Sequence, residues 1–471
     1  MTHHDGDWGI LSTQQDENQA RAKAVSDPAA YHAAIAAKEL HWYDTGGEQW
    51  VSQPGADAWQ GWHAASGAEG SADASWTPWS SSLDANAAPF YRWFVDGQTN
   101  ACFNLLDRHV LSGRGKNQAL VFEGDRWDPS KNEGRGGPVF EQRLSYRELL
   151  VEVALRARVL KSLDLSAGDR IALNLPNILE QIFYILAAQR IGVIYTPVFG
   201  GFSAKTLSDR IHDAGAKVVI TADGGYRNAE VVPYKTTYTD PALDNYVPRP
   251  AALQALSETL KSRLPADVAE RLETQVTEAV AGEITLERAD VMRELGLALE
   301  RERGTAPEII AELRTTVASE LAGVSHAVTN VIVVRYTGND IVEHSRDRWS
   351  HDLVDEVEEA FLADAGVADR ASLASFDDNA FWKAIGATMP AVPVEADWPL
   401  FIIYTSGSTG KPKGVVHTHG GWLSGITHTM RTVFNANQDD CLYVIGDPGW
   451  ITGQSYLIAA PLAFGMSTVI A

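Results

Sequence analysis

Cysteine is nearly absent: Cys102 and Cys441 stand far apart in a chain of 471 residues. Such a pair builds no disulfide framework and offers no metal-ligand spacing, so both are expected as small buried hydrophobes, and no metal site is assigned. Basic residues are short too, with 39 Lys and Arg against 61 Asp and Glu and a formal net charge of -22. That balance argues against nucleic acid and anionic membrane as partners, since either needs a basic face. The opening Met1-Thr2-His3-His4-Asp5 lacks the basic and apolar regions of a signal peptide, and no apolar run is long enough to span a bilayer. The cytoplasm is the expected compartment.

What remains is an ordinary folding composition, 45% hydrophobic and 21% charged, in a chain too long for one core. Two or more subdomains are therefore expected. Residues 1–90 carry Trp42, Trp50, Trp59, Trp62, Trp76 and Trp79 with neither helical nor strand period. This segment reads as an arm wrapped over the main body and anchored by its indoles, with a carbohydrate or aromatic-ligand surface as the other reading.

Regular alternation begins within residues 91–239. Ser145 followed by Glu148 is a capping box, and Leu149, Val153, Arg156, Leu160 and Leu163 mark the helix behind it. Residues 170–175 read as a buried strand, 178–190 as a helix stopped at Gly192, 193–198 as a strand, 204–214 as a helix and 217–221 as a strand. Strand and helix taking turns predicts an α/β fold whose parallel sheet is covered on both faces. Across residues 240–323 the pattern changes to helical stripes: Val268, Leu272, Val276 and Val280, then Ile309, Leu313, Val317 and Leu321 behind Thr305-Ala306-Pro307-Glu308. The stripes are read most simply as core, and alternatively as a docking surface for another domain. Residues 324–471 complete the division, and Pro390, Pro393 and Pro399 suggest a surface connection there.

The strongest chemical signal is Thr405-Ser406-Gly407-Ser408-Thr409-Gly410-Lys411-Pro412-Lys413, entered from the apolar run 400–404. Glycines let backbone amides turn toward an anion, hydroxyls add donors, and Lys411 and Lys413 bring mobile positive charge, which suits the phosphates of a nucleotide. A Walker A loop needs Ser or Thr after its lysine and then a helix. Here Pro412 follows, and residues 415–419 read as a strand, so the loop is expected to join two strands.

The loop resembles the phosphate loop of the acyl-adenylating superfamily. Further similarity to its acetyl-CoA synthetase branch lies in Trp93-Phe94-Val95-Asp96-Gly97, Asn104-Leu105-Leu106-Asp107-Arg108-His109, Val198-Phe199-Gly200-Gly201-Phe202-Ser203, Val219-Ile220-Thr221-Ala222-Asp223, residues 346–353 and Asp447-Pro448-Gly449-Trp450-Ile451-Thr452-Gly453. Within that branch the chain is most similar to the ligase portion of propionyl-CoA synthases, fusion enzymes that activate 3-hydroxypropionate. The resemblance implies the large N-terminal domain of an acyl-adenylating enzyme, with residues 240–323 as an insert. It implies ATP, Mg²⁺ and CoA as bound substrates or ligands and a small carboxylic acid, acetate, propionate or 3-hydroxypropionate, as the group activated. Thr405, Ser406, Gly407, Ser408, Thr409, Gly410, Lys411 and Lys413 would then hold ATP phosphates, and Trp450, Ile451 and Thr452 would line the acyl pocket. Arg227 takes the first of two arginine positions that serve CoA, whereas Glu230 occupies the second. His417 and His419 match histidines of the branch and of the superfamily, and are expected to be structural. No catalytic residue is assigned.

The family's magnesium-binding Thr-Glu pair, ribose-binding Asp and C-terminal lysine do not follow Gly453. The strand-like run 466–471 reads as an interrupted element, so the expectation is a truncated domain, inactive alone, belonging with further domains of one polypeptide. Two other readings stay open. One is a structural or docking module of a fused enzyme; the other, which Pro412 disfavours, is a P-loop ATPase.

Overall fold

A computed structural model describes residues 13–51, 77–228, 230–302, 306–405, 412–434 and 436–471. The molecule is α/β, in two units that interleave along the chain: Met1–Asp169, Asn177–Pro197 and His351–Ala471 form one, Arg170–Pro176 and Val198–Ser350 the other.

In the second unit, strands with no polar face, such as Asn330–Val334, are buried on both sides as a parallel sheet requires. The strands Arg170–Asn174, Val218–Ala222, Asn330–Val334 and Asp347–Trp349 lie side by side in that order, each parallel to its neighbour. The helix Ala204–Ala214 packs Leu207 and Ile211 onto this sheet. Its start is capped by Ser203, and Gly215 in the left-handed region ends it.

The same unit holds four helices, Arg249–Arg263, Ala266–Ala279, Arg288–Arg301 and Pro307–Gly323. Their apolar stripes face one another. Leu256, Leu260, Leu272, Val276, Val291, Leu295, Leu313, Val317 and Leu321 share one core, while Ile309 stays outside it at 42% exposure. The Arg288 guanidinium binds the carbonyls of Asp244 and Val324, drawing the two ends of this segment together. Thr305, in the stretch expected to open the last helix, lies outside the described residues.

The first unit carries two four-stranded sheets. In one, Ser467–Ile470 runs parallel to both Cys441–Tyr443 and Gln118–Glu123, and Glu141–Ser145 closes the far edge antiparallel. Cys441 is exposed on the edge strand, contrary to expectation: an edge strand of only three residues leaves its side chains to solvent. Cys102 is buried, and burial pushes its thiol up to about 12. In the other sheet, Val394–Glu395, Gln98–Thr99, Trp42–Asp44 and Gln49–Val51 are all antiparallel. The proline-rich segment is therefore not a surface connection. Met389, Ala391, Val394 and Ala396 are buried, the amide of Val392 donates to the Arg190 carbonyl, and Pro393 directly precedes the edge strand while Pro399 opens the strand Pro399–Thr405, where no ladder donor is lost.

The tryptophan-rich arm begins with two helices that the sequence pattern hid, Gln14–Ser26 and Pro28–Glu39. Thr13 and Asp16 cap the first reciprocally, and Asp27 followed by Pro28 starts the second. Trp42 is fully buried against Trp79 and Phe94, and Trp50 stacks on Phe103 at 4.0 Å. Glu39 adds a buried ion pair to Arg431, at 2.6 and 3.0 Å. Trp59, Trp62 and Trp76 lie outside the described residues.

Candidate functional site

The strand Pro399–Thr405 pairs antiparallel with Lys413–Thr418, bringing Thr405 directly opposite Lys413. The glycine- and hydroxyl-rich loop is thus the connection of a β-hairpin, and the helix begins only at His419. Ser406, Gly407, Ser408, Thr409, Gly410 and Lys411 lie outside the described residues. Thr405 and Lys413, at the base of the loop, are both exposed.

The hairpin rests on a rigid aromatic floor. The Phe401 ring stacks on His417 at 4.6 Å, meets Trp422 edge-on at 5.0 Å and lies 5.5 Å from Tyr195. Thr196 donates to the Ile402 carbonyl at 2.9 Å, tying the neighbouring strand Ile194–Pro197 to the hairpin. His417 is half-buried, and burial lowers its pKa. His419 is wholly buried; its Nδ1 accepts the Ala101 amide at 3.0 Å, and burial holds its pKa down to about 3. A ring in that setting is neutral, with its proton on Nε2, and it pins the helix His419–Thr432.

The same floor supports the turn before the helical stretch Gly453–Ala459. Asp447 closes the turn by accepting the Gly449 amide on its side chain at 2.6 Å and the Trp450 amide on its carbonyl at 2.9 Å. Burial raises the Asp447 carboxyl to about 6, although the Gly449 amide works against that rise. A Cβ at position 453 would overlap the Asp447 carbonyl, so glycine is required there. Trp450, Ile451 and Thr452 are all exposed on this turn, with Trp450 at 50%.

Sequence reasoning missed the group that holds the turn in place. Gln454 is fully buried; its Nε2 donates to the Pro448 carbonyl at 2.5 Å, and its Oε1 accepts from the Tyr195 hydroxyl at 2.8 Å. Gln189 in turn donates to the Tyr195 oxygen at 3.1 Å. Trp422, from the floor, donates to Ser455 at 3.4 Å. The lysine-bearing hairpin and the turn therefore share one set of supports. Gln454 directly follows the Trp450–Gly453 block, but its partner Tyr195 is remote in sequence, so only the fold reveals the pairing.

Arg227 belongs to the other unit. It stands opposite Glu230 across the hairpin Gly225–Arg227 and Glu230–Val232, and both side chains are exposed. Behind the hairpin, the buried Asp223 carboxylate accepts the amides of Gly224, Tyr336, Thr337, Gly338 and Asn339 at 2.7 to 3.1 Å. That aspartate ends the Thr221-Ala222-Asp223 block, and its work is to fix the loop beneath the hairpin, where Tyr226 meets Tyr336 edge-on at 5.6 Å.

Among the described residues, one group has the makings of a metal site: Asp240, Asp244 and His344. Cations of the protein already serve it. Lys235, fully buried, binds Asp240 and Asp347 at 2.8 Å, and Arg346 grips Asp244 with two bonds at 2.7 and 2.8 Å. This is an ion-pair network, and it does not fit a resident divalent ion. No helix among the described residues is long and apolar enough to cross a membrane.

Residues 126–302 and 311–471 match the family described as AMP-binding enzyme, and residues 71–105 match the one described as acetyl-coenzyme A synthetase N-terminus. Among curated proteins, the acetyl-coenzyme A synthetase of Thiobacillus denitrificans is 33% identical over 395 residues, covering 84% of this chain and 42% of that protein. Its namesake from Mycobacterium tuberculosis is 30% identical over 400 residues, 84% of this chain and 43% of its own. That of Methylobacillus flagellatus is 34% identical over 398 residues, again 84% and 43%. The chain spans less than half the length of these relatives.

Proposed function

We propose that this chain, which belongs to the AMP-binding enzyme family and within it to the acetyl-coenzyme A synthetase branch, activates a small carboxylic acid with ATP and passes it to CoA. A carboxylate resists attack by a thiol because it repels nucleophiles and oxide leaves poorly. Joining the acid oxygen to the α-phosphorus of ATP, with the bond to pyrophosphate breaking, gives an acyl-adenylate. The CoA sulfur then attacks the acyl carbon and AMP departs. Catalysis of this kind rests on holding two anions in line and dispersing charge toward the leaving pyrophosphate.

The observation that carries the reading is the shared support of the lysine-bearing hairpin and the Trp450 turn by Tyr195, Phe401 and Trp422. Thr405 and Lys413 sit at the base of a loop whose Ser406, Ser408, Thr409 and Lys411 are suited to the β- and γ-phosphates. Trp450, Ile451 and Thr452 offer the acyl wall, where a bulky indole favours a short acid. The acetyl-coenzyme A synthetase names of the relatives support acetate, and propionate and 3-hydroxypropionate remain in the same class, since one methylene is worth only about 1–3 kcal/mol of discrimination. Arg227 would meet a phosphate of CoA, with Glu230 opposing it. Mg²⁺ would travel with the ATP phosphates; no described cluster fits it, and no step is derived through it.

A pyrophosphate-release screen of short carboxylic acids with the full-length protein tests the reading. Release that depends on acetate, propionate or 3-hydroxypropionate, with AMP as the nucleotide product, is expected. Steady formation of ADP without dependence on an acid would overturn it in favour of an ATPase.

A further inference from the structure

The hydrogen bonds around Gln454 run in one direction only. The Pro448 carbonyl accepts and never donates, so the Gln454 amide group must present its NH₂ there. Its oxygen is then left for Tyr195, whose single hydroxyl proton must point toward it. The Tyr195 oxygen is thereby free to accept from Gln189. All three side chains are buried, so no water substitutes for a missing partner.

The Pro448 carbonyl lies two residues before Trp450, and the Gln454 backbone N–H donates to the Trp450 carbonyl at 3.1 Å, as any residue at this position would. The Gln454 side chain therefore holds the turn at Pro448, just before the exposed residues Trp450 to Thr452, from a backbone position just after them. From this arrangement we propose that Gln454, oriented by Tyr195, is a positioning residue that sets where Trp450, Ile451 and Thr452 stand and so which acid the site accepts. The proposal rests on the acid-activating reading of that turn. A side chain that only filled volume here would need neither donor nor acceptor, whereas this role needs both at once.

The test uses the full-length protein and its Gln454→Met, Gln454→Glu and Tyr195→Phe variants, assayed by pyrophosphate release with acetate, propionate and butyrate between pH 5.5 and 8.5. Gln454→Met keeps the bulk and loses both bonds. Its KM for the acid should rise about tenfold while its KM for ATP stays within about twofold, and its preference among the three acids should change. Tyr195→Phe should move in the same direction. Gln454→Glu should behave like Gln454→Met at pH 8.5 and recover toward wild type as pH falls. A protonated carboxyl accepts from Tyr195 and donates to Pro448, but an ionised one cannot donate. Asp447, on the same turn, is raised by burial to about 6 and titrates in this range as well, and His417, across the floor, is a second titratable group, its pKa lowered by burial. Both are present in the wild type, whose profile is the reference.

An acid KM unchanged in Gln454→Met, or ATP and acid KM rising together with no pH recovery in Gln454→Glu, would overturn the proposal. Hydrogen exchange separates it from the functional reading. Peptides covering residues 447–454 should exchange faster in Gln454→Met while those covering 399–404 do not, and unchanged exchange in 447–454 defeats the positioning role whatever the activity. Absence of acid-dependent turnover in the wild type would instead defeat the functional reading.

Discussion

Replacing Asp107 by Asn should be among the most damaging isosteric changes in the first unit. Asp107 is 1% exposed and Arg190 is fully buried; the carboxylate takes two guanidinium bonds at 2.6 and 2.9 Å and a third from the Trp382 indole at 2.8 Å. An amide at this position turns one acceptor into a donor facing a donor, and leaves a buried cation uncompensated. Arg190 cannot escape by losing its proton, and its remaining bonds go to neutral groups, the carbonyls of Met389 and Gly386 and the Cys102 sulfur. Breaking a buried pair in this way costs about 3–5 kcal/mol, a large part of the roughly 5–15 kcal/mol that holds a folded domain together. The apparent melting temperature should fall by about 5–8 °C in circular dichroism, the rate expected for a unit of roughly 300 residues. Urea unfolding followed by tryptophan fluorescence should give the free-energy loss directly. A loss under about 1 kcal/mol would show that the Arg190 charge finds solvent or another anion, and the buried-pair argument would be wrong.

Stability should also fall in acid through the buried histidines. His419 is held neutral down to about pH 3 in the fold but protonates near 6.5 when unfolded, so its contribution is complete above 6.5 and is lost as pH drops, about 2 kcal/mol by pH 5. His41 and His109 are shifted the same way, and His419→Gln should flatten the pH–stability curve by one proton's slope in denaturant titrations. In the helical segment, Leu272→Ala should cost about 2–5 kcal/mol in urea unfolding and Leu297→Ala less than about 0.5, because the first side chain is in the shared core and the second is 40% exposed. On the Arg227 hairpin, Glu230→Arg should lower the KM for CoA roughly threefold at low salt and lose that advantage at high salt, as a screened surface charge must. A CoA KM indifferent to both charge and salt would move the nucleotide end of CoA away from this hairpin.

Much of the secondary structure was legible because its signals are local. The Ser145–Glu148 capping box forms as read, each side chain bonded to the other's amide, and the helix Ala204–Ala214 starts at its Ser203 cap and ends at Gly215. The strand after the glycine- and hydroxyl-rich loop was legible from Pro412 and the β-branched run beyond it. What the pattern missed depended on distant partners. The proline-rich segment looks like a connection until its strand Val394–Glu395 finds Gln98–Thr99. Exposure of Cys441 depends on which strand takes the sheet edge. The helices Gln14–Ser26 and Pro28–Glu39 were masked by an Ala- and Gln-rich composition with little apolar contrast, although Thr13 and Asp27 announce them.

The candidate site divides along the same line. The groups proposed to carry its chemistry are contiguous in sequence, as Thr405 to Lys413 and Trp450 to Thr452 are, and those among the described residues, Thr405, Lys413 and Trp450 to Thr452, are exposed, as contact with substrates would require. Its positioning groups are buried and scattered, as Gln189, Tyr195 and Gln454 are. The recognised block Asn104 to His109 belongs with the second kind: all four of its polar side chains are buried, Asn104 binding the His41 amide, Asp107 the Arg190 guanidinium and Arg108 the Glu39 carbonyl. A sequence motif of this sort marks a family because an unpartnered buried polar group is costly, so each member of the set constrains the others. It follows that substitutions in the buried set should change folding or pocket shape first, whereas substitutions at Lys413 or Trp450 should change turnover while leaving the fold in place.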